Sequence, residues 1–352
     1  MTTWRKIRDN PKLWRRYFVR ETVLREIRKF FVDQAFHEIE TPLLVGSLPP
    51  ESYLDVFETT ALSRTGKRIR AFLPTSPEPY LKKLLAAGVG NCFAITKSFR
   101  NSEDMSETHV HEFTILEWYR IHADYTAIMD DVEGLVCTLA GIIYPSVSLN
   151  EIPYNGKKIN LTRPWDRMSV SEAFLKYAEM DLSHALTREE MAKIATGKGY
   201  TIGKGDTWEI LFNQIFLNEI ESQLGIGKPV ILYDYPAELA ALARRKPADL
   251  RFAERFEFYI AGLEMGDAYS ELTDHKEQQE RFLEEQKKRI SLKKIQHPID
   301  VDLIDALKAG MPPCGGIAVG VDRLIMFLSD VCDIKDTLLF PPQDLFDYTA
   351  PE

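Results

Sequence analysis

Cysteine is scarce in this chain. Four residues in 352, at positions 92, 137, 314 and 332, lie far apart with no CxxC pairing. That excludes a disulfide-stapled scaffold and a thiolate zinc site, and it reads as buried thiols in a reducing cytosol. Histidine is scarce too, and its seven copies offer no ligand spacing beyond His109-x-His111. No run of about 18 apolar residues occurs, so no membrane-spanning helix is expected. The N-terminal stretch is basic but has no apolar segment, so it is not a secretory signal. Positive charge is in deficit, at net −9, which argues against a broad nucleic-acid-binding face. The basic residues between Arg5 and Lys29 read most simply as the solvated face of an entry helix, with an acidic partner as the alternative. The glycines of GKGYTIGKGD, residues 197–206, lack the spacing of a phosphate-binding P-loop.

What remains is a chain with 45 % apolar residues, enough for a real core. The stretch from Phe93 to Arg120 organises it. Cys92–Phe99 is apolar and β-rich. A polar loop follows, and Phe113–Tyr119 alternates, so Phe113, Ile115, Glu117 and Tyr119 share one face. Arg100 ends the first strand with a planar fork suited to phosphate or carboxylate. Phe113 offers a flat face to a base, and an inward Glu117 a countercharge to an amine.

Taken in order, residues 11–36 fit a long amphipathic helix and Phe36–Glu40 a strand stopped by Pro42. Residues 46–70 hold loops and a short hairpin around Gly66. Thr75 or Ser76 caps a helix that carries Glu78 in its first turn. Thr126–Ile143 is helical. Residues 145–229 read as an inserted, mostly helical segment, with helices over Trp165–Tyr177, Thr187–Ala195 and Thr207–Leu224. Val230–Tyr233 is a short strand. Phe252–Leu272 then forms two strands about a turn at Ala261-Gly262. Tyr259 faces Glu264, with Glu257 one diagonal step away on the same face. Two acids so placed repel unless a cation lies between them, and Mg²⁺ binds through one or two carboxylates plus phosphates. Glu264, Asp267 and Glu271 can face one way only if a bulge forms near Gly266. Helices follow over Gln278–Ile290 and His297–Ala309. Ile317–Gly320 is the last strand, and Asp322-Arg323 opens a final apolar helix, a place suited to phosphate.

These pieces jointly resemble the catalytic core of the class II aminoacyl-tRNA synthetases. Motif one matches Ile27–Pro42. Motif two matches Phe99-Arg100-Asn101 with His109 and Glu112-Phe113, and motif three matches residues 316–323. Within that class, TSPEPYLKKLL, EFTILEWY, AERFEFYIAGLE and YSELTDHKEQQERF resemble the lysyl branch. The segment from His297 to Leu324 is similar to the freestanding elongation factor P lysine ligase family. The resemblance implies an α+β fold, an antiparallel sheet flanked by helices, and one catalytic domain over residues 1–352 with the insertion at 145–229. An anticodon-binding domain is not expected. It implies ATP and Mg²⁺, lysine or β-lysine as amino acid, a lysine side chain of elongation factor P as acceptor rather than tRNA, a homodimer, and a cytoplasmic location.

By motif match, Arg100 holds the α-phosphate and the substrate carboxylate, Phe113 stacks on adenine, and Arg323 holds the γ-phosphate. Glu103 and His109 complete the ATP site. Glu257 and Glu264 bind Mg²⁺. Glu117, Tyr119 and Glu271 take the distal amine and Glu78 the proximal amine. Asp267 stands where the family has Asn, and the substitution suggests that it receives a displaced amine. The loop after Arg100 also departs from the family, reading His109-Val110-His111-Glu112-Phe113 with one extra residue. A minimal lysyl-tRNA synthetase and a non-catalytic paralogue are the alternatives.

Overall fold

The structure, a computed structural model, describes residues 2–102 and 105–346. Its strands are β1 (His37–Glu38), β2 (Glu58–Leu62), β3 (Arg68–Phe72), β4 (Cys92–Phe99), β5 (Glu112–Ile121), β6 (Ile152–Tyr154), β7 (Lys157–Ile159), β8 (Asp166–Ser169), β9 (Val230–Pro236), β10 (Phe252–Ile260), β11 (Leu263–Ser270) and β12 (Cys314–Gly320). Eight of them form one sheet in the order β1-β4-β5-β12-β11-β10-β9-β8. The six inner strands are antiparallel, as expected. The edges differ: β1 runs parallel to β4, and β8 parallel to β9. The fold is therefore α+β, with helices flanking a mixed sheet.

Both faces of the sheet are covered, which explains why β5 is buried almost throughout. On one face Phe93, Leu116, Trp118, Phe256, Phe258 and Ile317 pack against the helices Trp14–Val32, Tyr125–Ile143 and Val321–Leu328. Fully burying one such side chain stabilises by about 1.5–3 kcal/mol, so this face is the main source of cohesion. On the other face Cys92, Ala94, Tyr119 and Cys314 meet the helices Glu78–Ala86 and Val301–Gly310. That second face also carries buried polar side chains, among them Glu117 and Glu257.

Several local expectations shift. The entry helix runs over Trp14–Val32, preceded by a tight turn at Pro11–Leu13. The strand expected over Phe36–Glu40 pairs only at His37 and Glu38. The helix Val301–Gly310 starts later than His297, because Asp300 accepts from the Leu303 N–H and caps it. In the segment 145–229, Asp166–Ser169 is strand rather than helix. Pairing with β9 claims it, and Ser169 with Glu172 makes the capping box that starts the helix Val170–Tyr177. The segment thus contributes three strands as well as helices. Its core, with Phe174, Phe212 and Phe216, continues into Tyr235 and Tyr259 of the main sheet. Of the cysteines, Cys92 and Cys314 are buried, Cys137 is half-buried, and Cys332 is exposed, against expectation.

The bulge near Gly266 is present. Phe258 pairs with Gly266 and Tyr259 with Glu264, so Met265 is the extra residue. Gly266 itself has no room for a side chain: a Cβ there would lie 2.6 Å from the Ala318 carbonyl oxygen.

Candidate active site

Strands β5, β12, β11 and β10 line up the expected residues on one face. The site has two ends, and Asp267 lies between them.

At the nucleotide end, a cavity of ≈ 160 Å³ is lined by Arg100, His109, Phe113, Glu264, Gly266, Asp267 and Arg323, among others. The Arg100 guanidinium covers the Phe113 ring at 5.3 Å from its centroid. Its Nε is buried without a hydrogen-bond partner. A buried donor left without a partner is costly unless an anion completes it. Arg323 is engaged differently. It donates to the Thr108 carbonyl at 3.2 Å and to the Glu264 carbonyl at 2.8 Å, and its Nη2 lies 2.7 Å from His109 Nε2. Asp322 does not cap the helix that it opens, and it does not pair with Arg323. It is buried, accepts from the Thr114 N–H at 2.6 Å and pairs with Arg20. This fastens the start of the last helix to β5 and to the entry helix. Glu103 lies outside the described residues.

The other end is a buried acidic pocket. Glu78, Glu117 and Glu271 converge there from the helix Glu78–Ala86, from β5 and from the segment just after β11. All three are 9 % exposed or less. Tyr119 donates to Glu117 Oε2 at 3.3 Å, while Glu117 Oε1 is buried with no hydrogen-bond partner. Burial pushes the Glu117 carboxyl well above its ordinary range, and neighbouring Glu78 adds to this. Burial likewise raises Glu271, against the pull of Lys82. A cradle is built into the backbone here. Opposite Tyr119 in the ladder stands Gly316. A Cβ on it would lie 2.4 Å from Glu271 Oε1 and 2.4 Å from the Tyr119 ring.

The carboxylate hairpin has the expected register, with Glu257 opposite Asp267 and Tyr259 opposite Glu264. Glu257 accepts from Tyr235 at 2.6 Å and from Tyr259, and Arg255 donates to its Oε1 at 2.6 Å. Its carboxyl is raised by burial, opposed by Arg255 and reinforced by Glu264. Glu264 lines the cavity. Of the two acids only Glu264 lines that cavity; Glu257 is buried with both oxygens held by Arg255, Tyr235 and Tyr259, so it would join Glu264 at Mg²⁺ only by exchanging those partners. Among the described residues there is no cluster of three or more protein ligands.

Asp267 is not an open charge. Arg255 grips it with two hydrogen bonds, at 2.9 and 3.0 Å, and Tyr269 donates to it at 2.5 Å.

Three partners of the site were not anticipated from sequence. Arg255 ties Glu257 to Asp267 and stacks on Tyr235 at 4.4 Å; its position two residues before Glu257 on one strand face was the available signal. Lys82 forms ion pairs with Glu78 and with Glu271, the latter at 2.6 Å. Its i,i+4 spacing from Glu78 marked it. Glu51 is half-buried, accepts from Tyr53 at 3.1 Å and from Thr75 at 3.4 Å, and is raised to about 7 by burial and by Glu78.

Comparison with known proteins agrees with this geometry. Residues 3–344 match the family described as tRNA synthetases class II (D, K and N). An elongation factor P–(R)-beta-lysine ligase of Salmonella typhi is 35% identical over 340 residues, covering 96% of this chain and 97% of that protein. Its counterpart in Salmonella arizonae is 36% identical over 342 residues, with the same coverage. A lysine–tRNA ligase of Pelotomaculum thermopropionicum is 35% identical over 334 residues, 94% of this chain, which spans 64% of that relative's length. With a match of this extent, the chain belongs to the class II tRNA synthetase family (D, K and N), a family of ligase enzymes.

Proposed function

We propose that the chain activates lysine or (R)-β-lysine with ATP and transfers it to a lysine side chain of elongation factor P. One observation carries this reading. The site holds buried groups of opposite character without hydrogen-bond partners, the Arg100 Nε donor at one end and the Glu117 Oε1 and Glu271 Oε2 acceptors at the other, the last of these in an ion pair with Lys82. The donor suits a carboxylate or phosphate, the acceptors an ammonium group. An amino acid with a side-chain amine presents both. The names of the Salmonella relatives support β-lysine and elongation factor P as the specific partners.

In this reading Arg100 binds the amino-acid carboxylate and the α-phosphate together. That holds the nucleophilic oxygen in line with the α-phosphorus and offsets the charge that develops there. Phe113 supports adenine. Arg323 and His109 take the γ-phosphate once Arg323 exchanges its present carbonyl partners for phosphate oxygens. Glu103 belongs to the same ATP site by motif. Glu257 and Glu264 would hold Mg²⁺, which supplies charge neutralisation to the phosphates. Glu117, Tyr119 and Glu271 receive the distal amine, and Glu78 the proximal one. Attack of the carboxylate oxygen forms the aminoacyl-adenylate and releases pyrophosphate. The acceptor amine then attacks the acyl carbon and AMP leaves. The Arg255 grip on Asp267 cancels its charge, so a substrate carboxylate nearby is not repelled. The enzyme acts as a homodimer in the cytoplasm, with residues 145–229 as an accessory segment of one catalytic domain; among the described residues no helix is long and apolar enough to cross a membrane.

The lysine–tRNA ligase match favours a second reading, in which tRNA is the acceptor. ATP–pyrophosphate exchange with lysine, (R)-β-lysine and related diamines tests the first step. Exchange stimulated by a diamino acid is expected, and none with any amino acid sinks both readings. Transfer of labelled amino acid to elongation factor P or to tRNA then divides them.

A further inference from the structure

The acidic pocket contains a buried ammonium to which the proposed function gives no role. Lys82 is 2 % exposed, on the inner side of the helix Glu78–Ala86. Its ammonium contacts Glu78 Oε1 and lies 2.6 Å from Glu271 Oε2. The third acid, Glu117, keeps one oxygen without any partner. Three buried carboxylates and one buried ammonium leave a formal charge of −2. A ligand with two ammonium groups brings that to zero, and its own carboxylate is matched by Arg100. Burial already raises Glu117 and Glu271 with Lys82 in place; without its ammonium, three uncompensated acids would share the pocket and be pushed further towards their neutral forms.

We propose that Lys82 is a positioning residue of the amino-acid pocket: its ammonium stays between Glu78 and Glu271 when substrate binds, fixes one oxygen of each, and leaves Glu117 to Tyr119 and the ligand's distal ammonium. It acts as a built-in countercharge, and the substrate does not displace it. The pocket then accepts a diamino acid because one of its three negative charges is already spent. The inference rests on the reading that this pocket binds the amino acid.

The test is amino-acid-dependent ATP–pyrophosphate exchange with Lys82→Ala in the full chain. The KM for lysine or β-lysine is expected to rise by about tenfold or more while the KM for ATP holds, since the ion pairs to the two acids are lost. n-Propylamine, which can refill the vacated ammonium position, should lower that KM again, and n-propanol should not. A merely structural lysine would not give amine rescue in the amino-acid KM alone. An unchanged KM overturns the inference. So does a lower one, because it would make Lys82 a placeholder that the substrate evicts. Should Lys82→Ala fail to fold, a crystal structure of the unaltered chain with lysine and a non-hydrolysable ATP analogue decides. Ligand nitrogen at Glu117 with Lys82 in place supports the inference, and ligand nitrogen between Glu78 and Glu271 with Lys82 swung away overturns it. Failure of the underlying reading looks different: the unaltered chain would neither exchange pyrophosphate nor bind lysine.

Discussion

The two ends of the site are built by different means. At the amine end, strands and a helix fix Glu78, Lys82, Glu117, Tyr119 and Glu271 in a buried pocket, and even the backbone is shaped to them through Gly316. At the nucleotide end, Arg323 is occupied by a loop carbonyl, by the Glu264 carbonyl and by His109. Its partners must be exchanged before it can meet a phosphate. In the proposed function, the amine end is therefore preorganised for its ligand, whereas at the nucleotide end Arg323 would exchange its partners to meet a phosphate. Preorganised donors and acceptors lose no energy in reorganising when charge appears.

In the proposed function Arg100 serves both the amino acid and the nucleotide, so removing it should have the largest effect. Arg100→Ala is expected to lower kcat for pyrophosphate exchange by roughly 10²–10³-fold, as for loss of one donor to a developing oxyanion. Both substrates should also bind less tightly. A loss confined to the KM for ATP would break the comparison by showing that Arg100 serves the nucleotide alone.

The shared sheet was legible in the sequence because its strands alternate or carry turn signals. The hairpin from Cys92 to Ile121 and the register that places Tyr259 opposite Glu264 needed only local pattern. The bulge was legible because three acids at 264, 267 and 271 demanded it. Lys82 was not, since a lysine between Leu81 and Leu85 on a helix reads as a surface residue until Glu271 is folded against it. Arg255 was hidden for the same reason: its partners Asp267 and Tyr235 lie on neighbouring strands. Asp166–Ser169 was missed because a four-residue edge strand owes its state to pairing with β9 and not to its own pattern.

Gly316→Ala probes the rigid end. The added methyl would crowd the Tyr119 ring and Glu271, so a loss of about 1–3 kcal/mol in urea unfolding is expected. Amino-acid binding should weaken with it, while Gly46→Ala, where a Cβ meets nothing, should change neither. Equal losses at the two glycines would show that the pocket is not tightly built.

The acids give a pH signature. Burial raises Glu51 to about 7 and also raises Glu257 and Glu271. A raised carboxyl favours the fold at low pH, and its contribution is complete below the ordinary value of 4.5 and lost as pH climbs through about 7. A bound diamino acid restores the balance by supplying ammonium groups. Stabilisation by lysine, measured as a shift in Tm, should therefore be larger at pH 8 than at pH 5, by about 1 kcal/mol. A ligand shift that falls with pH would mean that the acids are already satisfied without substrate.

Asp267→Asn should have the smallest effect, and it tests where the two ends meet. If Asp267 received a displaced amine directly, its neutralisation would reorder preference among lysine, β-lysine and other diamines. The geometry argues otherwise. Both carboxylate oxygens are already bonded to Arg255, one of them also to Tyr269, and an amine would have to compete with a guanidinium already in place. Asn keeps the shape and one acceptor, while Arg255 keeps Glu257 as its anionic partner. The expected outcome is a change under about tenfold in kcat/KM, of similar size for every diamino acid, in keeping with one weakened hydrogen bond. A selective change for one isomer would instead make Asp267 a direct reader of amine position, and the boundary between the fixed and the adjustable halves of the site would move to include it.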